Sequence, residues 1–183
     1  MILEQDSASV VLTVGHSTRR LAEFIALLTV HSVRRLIDIR TVPRSRHNPQ
    51  FNRDTLPGAL EGVGIRYEHL AGLGGFRHPH PGSVNMGWCN TSFRGFADYM
   101  QTPEFAESLA ALIEQATRER VVLMCAEAVP WRCHRSLIAD ALVVHGVRAE
   151  EIISATRLQV HTLTPFARVD KMVVTYPLQA PSS

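Results

Sequence analysis

The side chains best suited to chemistry flank one short loop in the second half of the chain. They comprise two thiols, a carboxylate, an imidazole and a guanidinium: Cys125, Glu127, Cys133, His134 and Arg135. An apolar run at 121–124 precedes the loop and is typical of a short buried strand, whereas the amphipathic segment at 136–145 is typical of a helix. Ligands of open α/β sheets bind at the carboxyl ends of the strands. The sequence therefore predicts a functional site where this strand leads into this helix.

Cys133 is the first candidate for a catalytic nucleophile, and His134 is the alternative catalytic group. The start of a helix favours negative charge, so a thiolate is stabilised there. The neighbours Arg132 and Arg135 would lower the pKa of Cys133 further. Because cysteine is among the most buried residue types, a packed and unreactive thiol is the structural alternative. Cys125 ends a strand, where a buried thiol is expected, and we assign it to the substrate-binding residues.

Two carboxylates are candidates for a catalytic acid or base. Asp38 lies near the end of an apolar segment, and Glu127 follows the strand described above. Either group could exchange a proton with a substrate. Asp38 could instead pair with Arg40 or His16, because a buried carboxylate needs a partner. Glu127 could instead orient His134 or pair with an arginine.

Arginine dominates the basic residues and is concentrated in one loop. Eighteen of the nineteen basic residues are Arg, and four of them lie in 40–53. Two prolines constrain this loop. In an extended segment Arg44 and Arg46 would point the same way, where they could hold a phosphate group. A solvated loop is the alternative. We assign Arg40, Arg44 and Arg46, with His16, to the binding of an anionic substrate.

Arg135 is predicted to lie in the first turn of a helix, where a cation acts against the helix dipole by a few tenths to about 1 kcal/mol. Local conflicts of this kind tend to occur at functional sites, and a bound anion would remove this one. Pairing with Glu127 or Asp140 is the alternative. We include Arg135 among the substrate-binding residues.

A metal-binding alternative depends on the same cysteines. Cys125, Cys133 and His134 do not have the spacing of a structural zinc site. The residues that could complete one lie in a glycine-rich loop at 72–90 that would have to fold over the site: His78, His80 and Cys89. We therefore assign no metal ligand and no particular cofactor.

Aromatic side chains near the glycine-rich loop favour a nucleic-acid alternative. They could stack a base and comprise Trp88, Phe93, Phe96 and Tyr99. The i, i+3 spacing of Phe96 and Tyr99 is equally typical of a buried helix face. The net charge of +2 is too small to indicate a nucleic-acid binder without this local pattern.

Strand-like and helix-like segments alternate along the chain. Strands are predicted at 10–14, 33–39, 65–70, 121–124 and 151–154, and helices at 21–28, 54–60, 92–100, 103–118 and 136–145. This alternation predicts an α/β fold, with a mainly parallel sheet of about four to six strands and helices on both faces. The ends of strands one, two and four then share one edge, which would carry His16, Asp38, Arg40, Cys125 and Glu127.

The totals agree with one globular domain. The chain has 183 residues, 45% of them hydrophobic and 20% charged, which suits a single core. We predict an α/β domain at 1–163 and a C-terminal extension or edge strand with a tail at 164–183. Further edge strands are predicted at 157–163 and 172–176. No apolar run reaches the roughly 18 residues of a membrane span, and residues 1–9 do not resemble a signal peptide. We expect a cytoplasmic protein with reduced thiols.

Several sequence blocks occur in order between residues 13 and 146. They are Thr13-Val14-Gly15-His16-Ser17, Asp38-Ile39-Arg40, Pro43-Arg44-Ser45-Arg46, Asn48-Pro49-Gln50-Phe51, Leu73-Gly74-Gly75, the segment 93–100, Met124-Cys125-Ala126-Glu127 and the segment 133–140. Together they resemble the family known as domain of unknown function 488. The resemblance implies a compact α/β domain and implies that such proteins share His16, Asp38, Arg40, Arg44, Arg46, Cys125, Glu127, Cys133, His134 and Arg135. It implies no activity, because none is securely assigned to the family, although a link to nucleotides or nucleic acid has been suggested for similar proteins.

These observations predict a small enzyme that acts on an anionic, phosphate-bearing substrate. Cys133 or His134 would carry the chemistry, with Asp38 or Glu127 as acid or base. The substrate would be either an anionic small molecule, such as a nucleotide, or a nucleic acid, and no membrane partner is expected. The alternatives are a nucleic-acid-binding module without catalysis and a protein that binds a metal through Cys and His.

Overall fold

Six strands form the central sheet of the computed structural model, which describes residues 9–179. In chain order the strands are β1 Val10–Gly15, β2 Arg35–Asp38, β3 Arg66–His69, β4 Val121–Cys125, β5 Arg148–Ser154 and β6 Arg157–Val160. Five α-helices surround the sheet: α1 Leu21–Val30, α2 Leu56–Glu61, α3 Thr91–Tyr99, α4 Pro103–Arg118 and α5 Arg135–Val144. Two further strands, β7 Arg168–Asp170 and β8 Val173–Thr175, form a separate ribbon.

The strand order in the central sheet is β3-β2-β4-β1-β5-β6. All neighbouring strands pair in parallel except β5 and β6, which pair antiparallel. The predicted α/β fold with a mainly parallel sheet is therefore confirmed. The most central strands are apolar over almost their whole length, as expected for strands that are covered on both faces.

Alternate residues of β4 pack into two different hydrophobic clusters. Val121, Leu123 and Cys125 belong to the cluster on the face covered by α3, α4 and α5, whereas Val122 and Met124 belong to the cluster on the face of α1 and α2. This alternation follows from the two-residue period of a strand. It confirms helices on both faces, and it directs Cys125 toward the side of the sheet where α5 lies.

The C-terminal part of the chain differs from the prediction in one respect. The edge strand predicted at 157–163 is present as β6, but the segment at 172–176 does not join the central sheet. β8 pairs with β7 instead. Tyr176 is fully buried beside α5, and its hydroxyl donates to Asp140 at 2.7 Å. The reason is that Val174 and Tyr176 complete the core on the α5 face, so this segment packs above the sheet rather than beside it.

Most element boundaries agree with the sequence to within two residues. The exceptions are β5, which begins at Arg148 rather than at residue 151, and β6, which ends at Val160 rather than at residue 163. The division into 1–163 and 164–183 stays a prediction. The features predicted for residues 1–8 and 180–183 lie outside the described residues. Among residues 9–179, no helix is long and apolar enough to cross a membrane.

Candidate functional site

Three neighbouring strands end at one edge of the sheet and bring many of the predicted residues together. β1 and β4 run in parallel with Gly15 beside Cys125, and β2 and β4 run in parallel with Asp38 beside Met124. A side chain at Gly15 would collide with the backbone carbonyl of Glu127. Glycine at this position therefore lets the loop after β4 cross close to the end of β1.

A cleft of about 450 Å³ opens at this edge of the sheet. Six residues of the predicted site line it: Arg40, Arg44, Cys125, Glu127, Cys133 and His134. Four residues of the predicted site do not line it: His16, Asp38, Arg46 and Arg135. The fold adds other lining side chains that the sequence did not identify, among them Thr41, Phe76 and Ser92.

The two cysteines of the site are in direct contact at the floor of the cleft. The sulfur atoms of Cys125 and Cys133 are 2.8 Å apart, and the two residues are only 3% and 6% exposed. The hydrogen bond from Cys125 holds the pKa of Cys133 well below its usual value, and His134 and Arg135 act in the same direction against the effect of burial. Burial, together with the neighbouring Cys133, raises the pKa of Cys125. Cys133 is therefore the more acidic thiol of the pair, and one hydrogen bond joins the two sulfur atoms.

His134 lies beside Cys133 in an orientation set by a backbone carbonyl. The Nε2 atom of His134 is 2.9 Å from the carbonyl oxygen of Leu73, to which it donates its proton. The Nδ1 atom is then the bare acceptor, and it faces the sulfur of Cys133 at 3.7 Å. A Cβ atom at Gly75 would lie 2.5 Å from this Nδ1. A glycine is therefore needed to make room for the imidazole ring.

Arg135 begins α5 but points into the protein rather than into the cleft. It is 1% exposed and donates from Nη2 to Glu151 at 3.0 Å and from Nη1 to the sulfur of Cys125 at 2.6 Å. Burial acts to lower the pKa of Arg135, but the negative charges of the cysteine pair and of Glu151 raise it above its usual value. Arg135 therefore forms its ion pair with Glu151 of β5. The carboxylates of Glu127 and Asp140, which the sequence offered as alternatives, are not its partners. Arg135 therefore stabilises negative charge on the cysteine pair from the protein interior and not from the cleft.

The carboxylate of Asp38 contacts the side chains of Arg40 and Tyr67. Its carboxylate is fully buried and accepts hydrogen bonds from Arg40 Nε at 2.8 Å and from the Tyr67 hydroxyl at 2.7 Å. The Nη1 atom of Arg40 is 3.3 Å from Nε2 of His16, whose ring stacks on Phe51. Burial lowers the pKa of His16 to about 4. The observed pairing with Arg40 is one of the alternatives given above, and it makes Asp38 and His16 positioning residues for Arg40.

The remaining arginines of the site lie at the rim of the cleft. Arg44 lines the cleft and forms an exposed ion pair with Asp54 at 2.9 Å. Arg46 is exposed but does not line the cleft. Within residues 9–179, no carboxylate pairs with Arg132, which is exposed and lines the cleft. Exposed ion pairs contribute about 0–1 kcal/mol, so Arg44 is readily available to another anion.

The aromatic residues have separate roles in the structure. Phe93 lines the cleft, and Phe76 beside it is 78% exposed. Trp88 packs against Phe93 and against the C-terminal segment. Phe96 is buried and contacts the ring of His134 with 4.9 Å between centroids. Of the four aromatic residues proposed for stacking, only Phe93 lines the cleft.

Several residues of the site were not identified from the sequence. Leu73 and Gly75 orient His134, and their block was visible only through the family resemblance. Glu151, the partner of Arg135, carries no local signal because it lies in a strand that is distant in the sequence. The hydroxyl of Thr13 donates to the same carboxylate from β1.

A metal site finds no ligand set in the described part of the chain. Within residues 9–179, no three His, Cys, Asp or Glu side chains lie close enough together to hold one ion. The three residues that could have completed a site with Cys125 and Cys133 therefore do not do so in this arrangement: His78, His80 and Cys89.

Comparison with protein families matches residues 20–142 to the family described as "Domain of unknown function DUF488". The matched region covers more than half of the chain. The chain belongs to the DUF488 family. The matched DUF488 region contains Cys125, Glu127, Cys133, His134 and Arg135 but neither His16 nor Glu151. Comparisons with curated proteins and with solved structures gave no match.

Proposed function

We propose that this DUF488 protein is an enzyme in which Cys133 acts as a nucleophile on an anionic, phosphate-bearing substrate. The observation that carries this proposal is the contact between Cys133 and His134 at the floor of the cleft. A nucleophile beside a base that a third group orients is the general arrangement of covalent catalysis. Here the third group is the carbonyl of Leu73.

The proposed step is the formation of a covalent cysteine intermediate. Nδ1 of His134 takes the proton of Cys133, and the sulfur then forms a bond to an electrophilic atom of the substrate. The bond to the leaving group breaks, and the leaving group departs with its electron pair and takes the proton from His134. Glu127 is the carboxylate that lines the same cleft, and one of its oxygens already accepts from the backbone N–H of Val129 at 3.0 Å.

The charge of the cleft supports an anionic substrate. Arg44 and Arg132 line its rim, and Arg40 is held in its wall by Asp38. Arginine side chains bind phosphate oxygens through paired N–H groups. The substrate would therefore place its phosphate toward the arginines and its reacting atom toward Cys133.

Alkylation of Cys133 by iodoacetamide tests this proposal. The Cys89→Ser variant removes the exposed thiol, and peptide mass spectrometry follows Cys133 between about pH 5 and about pH 9. We expect Cys133 to react faster than a free thiol near neutral pH, with inorganic phosphate slowing the reaction. In the Arg132→Ala variant, phosphate should protect less. If Cys133 reacts no faster than a free thiol, or is not modified, the nucleophile role is wrong.

A nucleic-acid-binding module without catalysis is the second candidate. It is supported by the exposed Phe76, which shares the cleft with Arg44, because exposed aromatic rings stack bases beside cationic phosphate contacts. Fluorescence anisotropy with labelled single- and double-stranded oligonucleotides measures the affinity against salt. The affinity should fall steeply with salt, and Phe76→Ala should weaken single-strand binding. If no binding occurs at low ionic strength, this candidate is eliminated.

A further inference from the structure

The nucleophilic step proposed above uses the contact between Cys125 and Cys133 only through the hydrogen bond that lowers the pKa of Cys133. A single cysteine with a base is sufficient for that step. Here a second thiol touches the first with 2.8 Å between sulfur atoms, and no side chain separates them. Both residues line the cleft. A small reagent that reaches Cys133 therefore meets both sulfur atoms.

We propose that Cys125 and Cys133 form a redox pair, in which a hydroperoxide oxidises Cys133 and Cys125 then closes an intramolecular disulfide. This goes beyond the proposed function because it assigns a second reaction and a second co-substrate class to the cleft. It uses the same sulfur atom of Cys133, but it does not require the phosphate-bearing substrate.

The first step consumes one hydroperoxide. The thiolate of Cys133 attacks the terminal oxygen of the hydroperoxide, which carries the hydrogen, so that a sulfur–oxygen bond forms and the oxygen–oxygen bond breaks. The departing alkoxide or hydroxide leaves with the electron pair and takes a proton to become an alcohol or water. Cys133 is thereby oxidised by two electrons to a sulfenic acid, and the peroxide is reduced.

The second step resolves the sulfenic acid. The sulfur of Cys125 attacks the sulfur of Cys133, a sulfur–sulfur bond forms, and the sulfur–oxygen bond breaks. The oxygen leaves as water after it takes the proton of Cys125. A dithiol reductant then returns two electrons and two protons by thiol–disulfide exchange and restores both thiols.

The surroundings of the pair favour this order of events. His134 and Arg135 lie on different sides of the pair, with Nδ1 at 3.7 Å from Cys133 and Nη1 at 2.6 Å from Cys125. After Nδ1 of His134 has taken the proton of Cys133, the imidazolium and Arg135 both stabilise negative charge on sulfur, which peroxide attack requires because the thiolate is the reactive form. Burial and the neighbouring Cys133 raise the pKa of Cys125, whereas the pKa of Cys133 is lowered, so Cys133 is the thiol of the pair that loses its proton more readily.

The position of the pair on the fold supports closure of the bond. Cys125 ends β4, and Cys133 directly precedes the N-cap residue of α5, so each is held by a regular element. Cysteines whose side chains already touch can be bridged without the backbone movement that distant thiols need. Cys89, the third cysteine, is exposed and lies outside this cleft.

Peroxide treatment followed by thiol mapping tests the proposal. The Cys89→Ser protein is exposed to hydrogen peroxide, remaining thiols are blocked with N-ethylmaleimide, and peptides are analysed without reduction. We expect the loss of both alkylatable thiols, a mass decrease of two hydrogen atoms and one linked peptide that contains Cys125 and Cys133. Dithiothreitol should restore both thiols. The inference is overturned if both thiols remain alkylatable, or if Cys133 proceeds to sulfinic acid while Cys125 stays free.

The Cys125→Ser variant tests the resolving role, and two readouts on the parent protein separate this inference from the proposed function. In Cys125→Ser no second thiol is present, so peroxide should leave Cys133 as a sulfenic acid that dimedone traps. If the parent protein forms no disulfide but Cys133 still alkylates fast, the redox pair is wrong and the nucleophile stands. If the disulfide forms but Cys133 alkylates no faster than a free thiol, the nucleophile is wrong and the redox pair stands.

Discussion

Replacing Gly75 with alanine tests whether His134 activates Cys133. The new Cβ atom would lie 2.5 Å from Nδ1 and 2.8 Å from Cγ of His134, which is closer than carbon atoms pack. The imidazole must therefore move away, and it then loses its contact with Cys133 and its hydrogen bond to Leu73. Overpacking of this kind costs about 1–3 kcal/mol of stability.

The effect on reactivity follows from the lost contact. A hydrogen bond to a charged group contributes about 1.5–3 kcal/mol, and the 3.7 Å separation between His134 Nδ1 and the Cys133 sulfur argues for the low end. About 1.4 kcal/mol corresponds to a tenfold change in an equilibrium constant. Below the midpoint of its titration, Cys133 reacts in proportion to its thiolate fraction. The Gly75→Ala variant should therefore alkylate about tenfold more slowly than the parent in this pH range.

Gly58→Ala is the matched control for this substitution. Gly58 lies in α2, and a Cβ atom at this position would have no neighbour within 4 Å, so the same change meets open space. Alanine in a helix should stabilise the protein by about 0.5–1 kcal/mol, with alkylation of Cys133 unchanged. Urea unfolding and iodoacetamide kinetics measure both quantities. If Gly75→Ala lowers stability but leaves the alkylation rate at the parent value, His134 does not act on Cys133.

Three further predictions concern buried residues that do not line the cleft. Glu151→Gln leaves the buried Arg135 without its carboxylate and should lower the free energy of unfolding by about 3 kcal/mol or more. The exposed control Glu114→Gln should change the free energy of unfolding by less than about 1 kcal/mol. Equal effects of the two substitutions would contradict a stabilising role of the buried ion pair. His16 has a pKa of about 4 in the folded protein against 6.5 ordinarily, so the unfolded chain binds more protons between these values and stability is lost as the pH falls from about 6.5 toward about 4. The decrease in the free energy of unfolding should approach about 3 kcal/mol. It should be absent in the His16→Gln variant, as measured by urea unfolding at several pH values. Tyr176→Phe removes a hydroxyl that donates to a buried carboxylate of α5 and should cost about 1.5 kcal/mol; an unchanged urea midpoint would mean that the C-terminal segment does not stabilise the core.

The sequence was sufficient for those parts of the site that depend on local order. The apolar run of β4 and the amphipathic pattern of α5 place Cys125 and Cys133 at opposite ends of one short loop. Asp38 and Arg40 are two residues apart, and their ion pair was among the alternatives that the spacing allowed. Alternating strands and helices also indicate a parallel sheet, because a parallel connection needs a crossover. These features follow from periodicity and from chain proximity.

The roles of the charged residues were decided by packing between distant segments. Arg135 was assigned to substrate binding because a cation in the first turn of a helix conflicts with the helix dipole. Its observed partner, Glu151, lies in another strand and could not be identified from the sequence. Arg44 and Arg46 were predicted to hold a phosphate together; Arg44 lines the cleft and Arg46 does not. A side chain's partner depends on which segments meet in space, and spacing along the chain does not determine this for residues far apart.

The cysteine pair combines both kinds of information. The residue types, their order and the strand–loop–helix setting came from the sequence, which determined that two thiols and an imidazole would lie near one strand end. Only the tertiary structure decided that the two sulfur atoms touch, that Gly75 admits the imidazole beside them, and that Arg135 supports them from behind. The physical reason is that the acidity of a buried thiol depends on distances of a few ångströms to donors and charges, and such distances exist only once β1, β4, β5 and α5 have packed together.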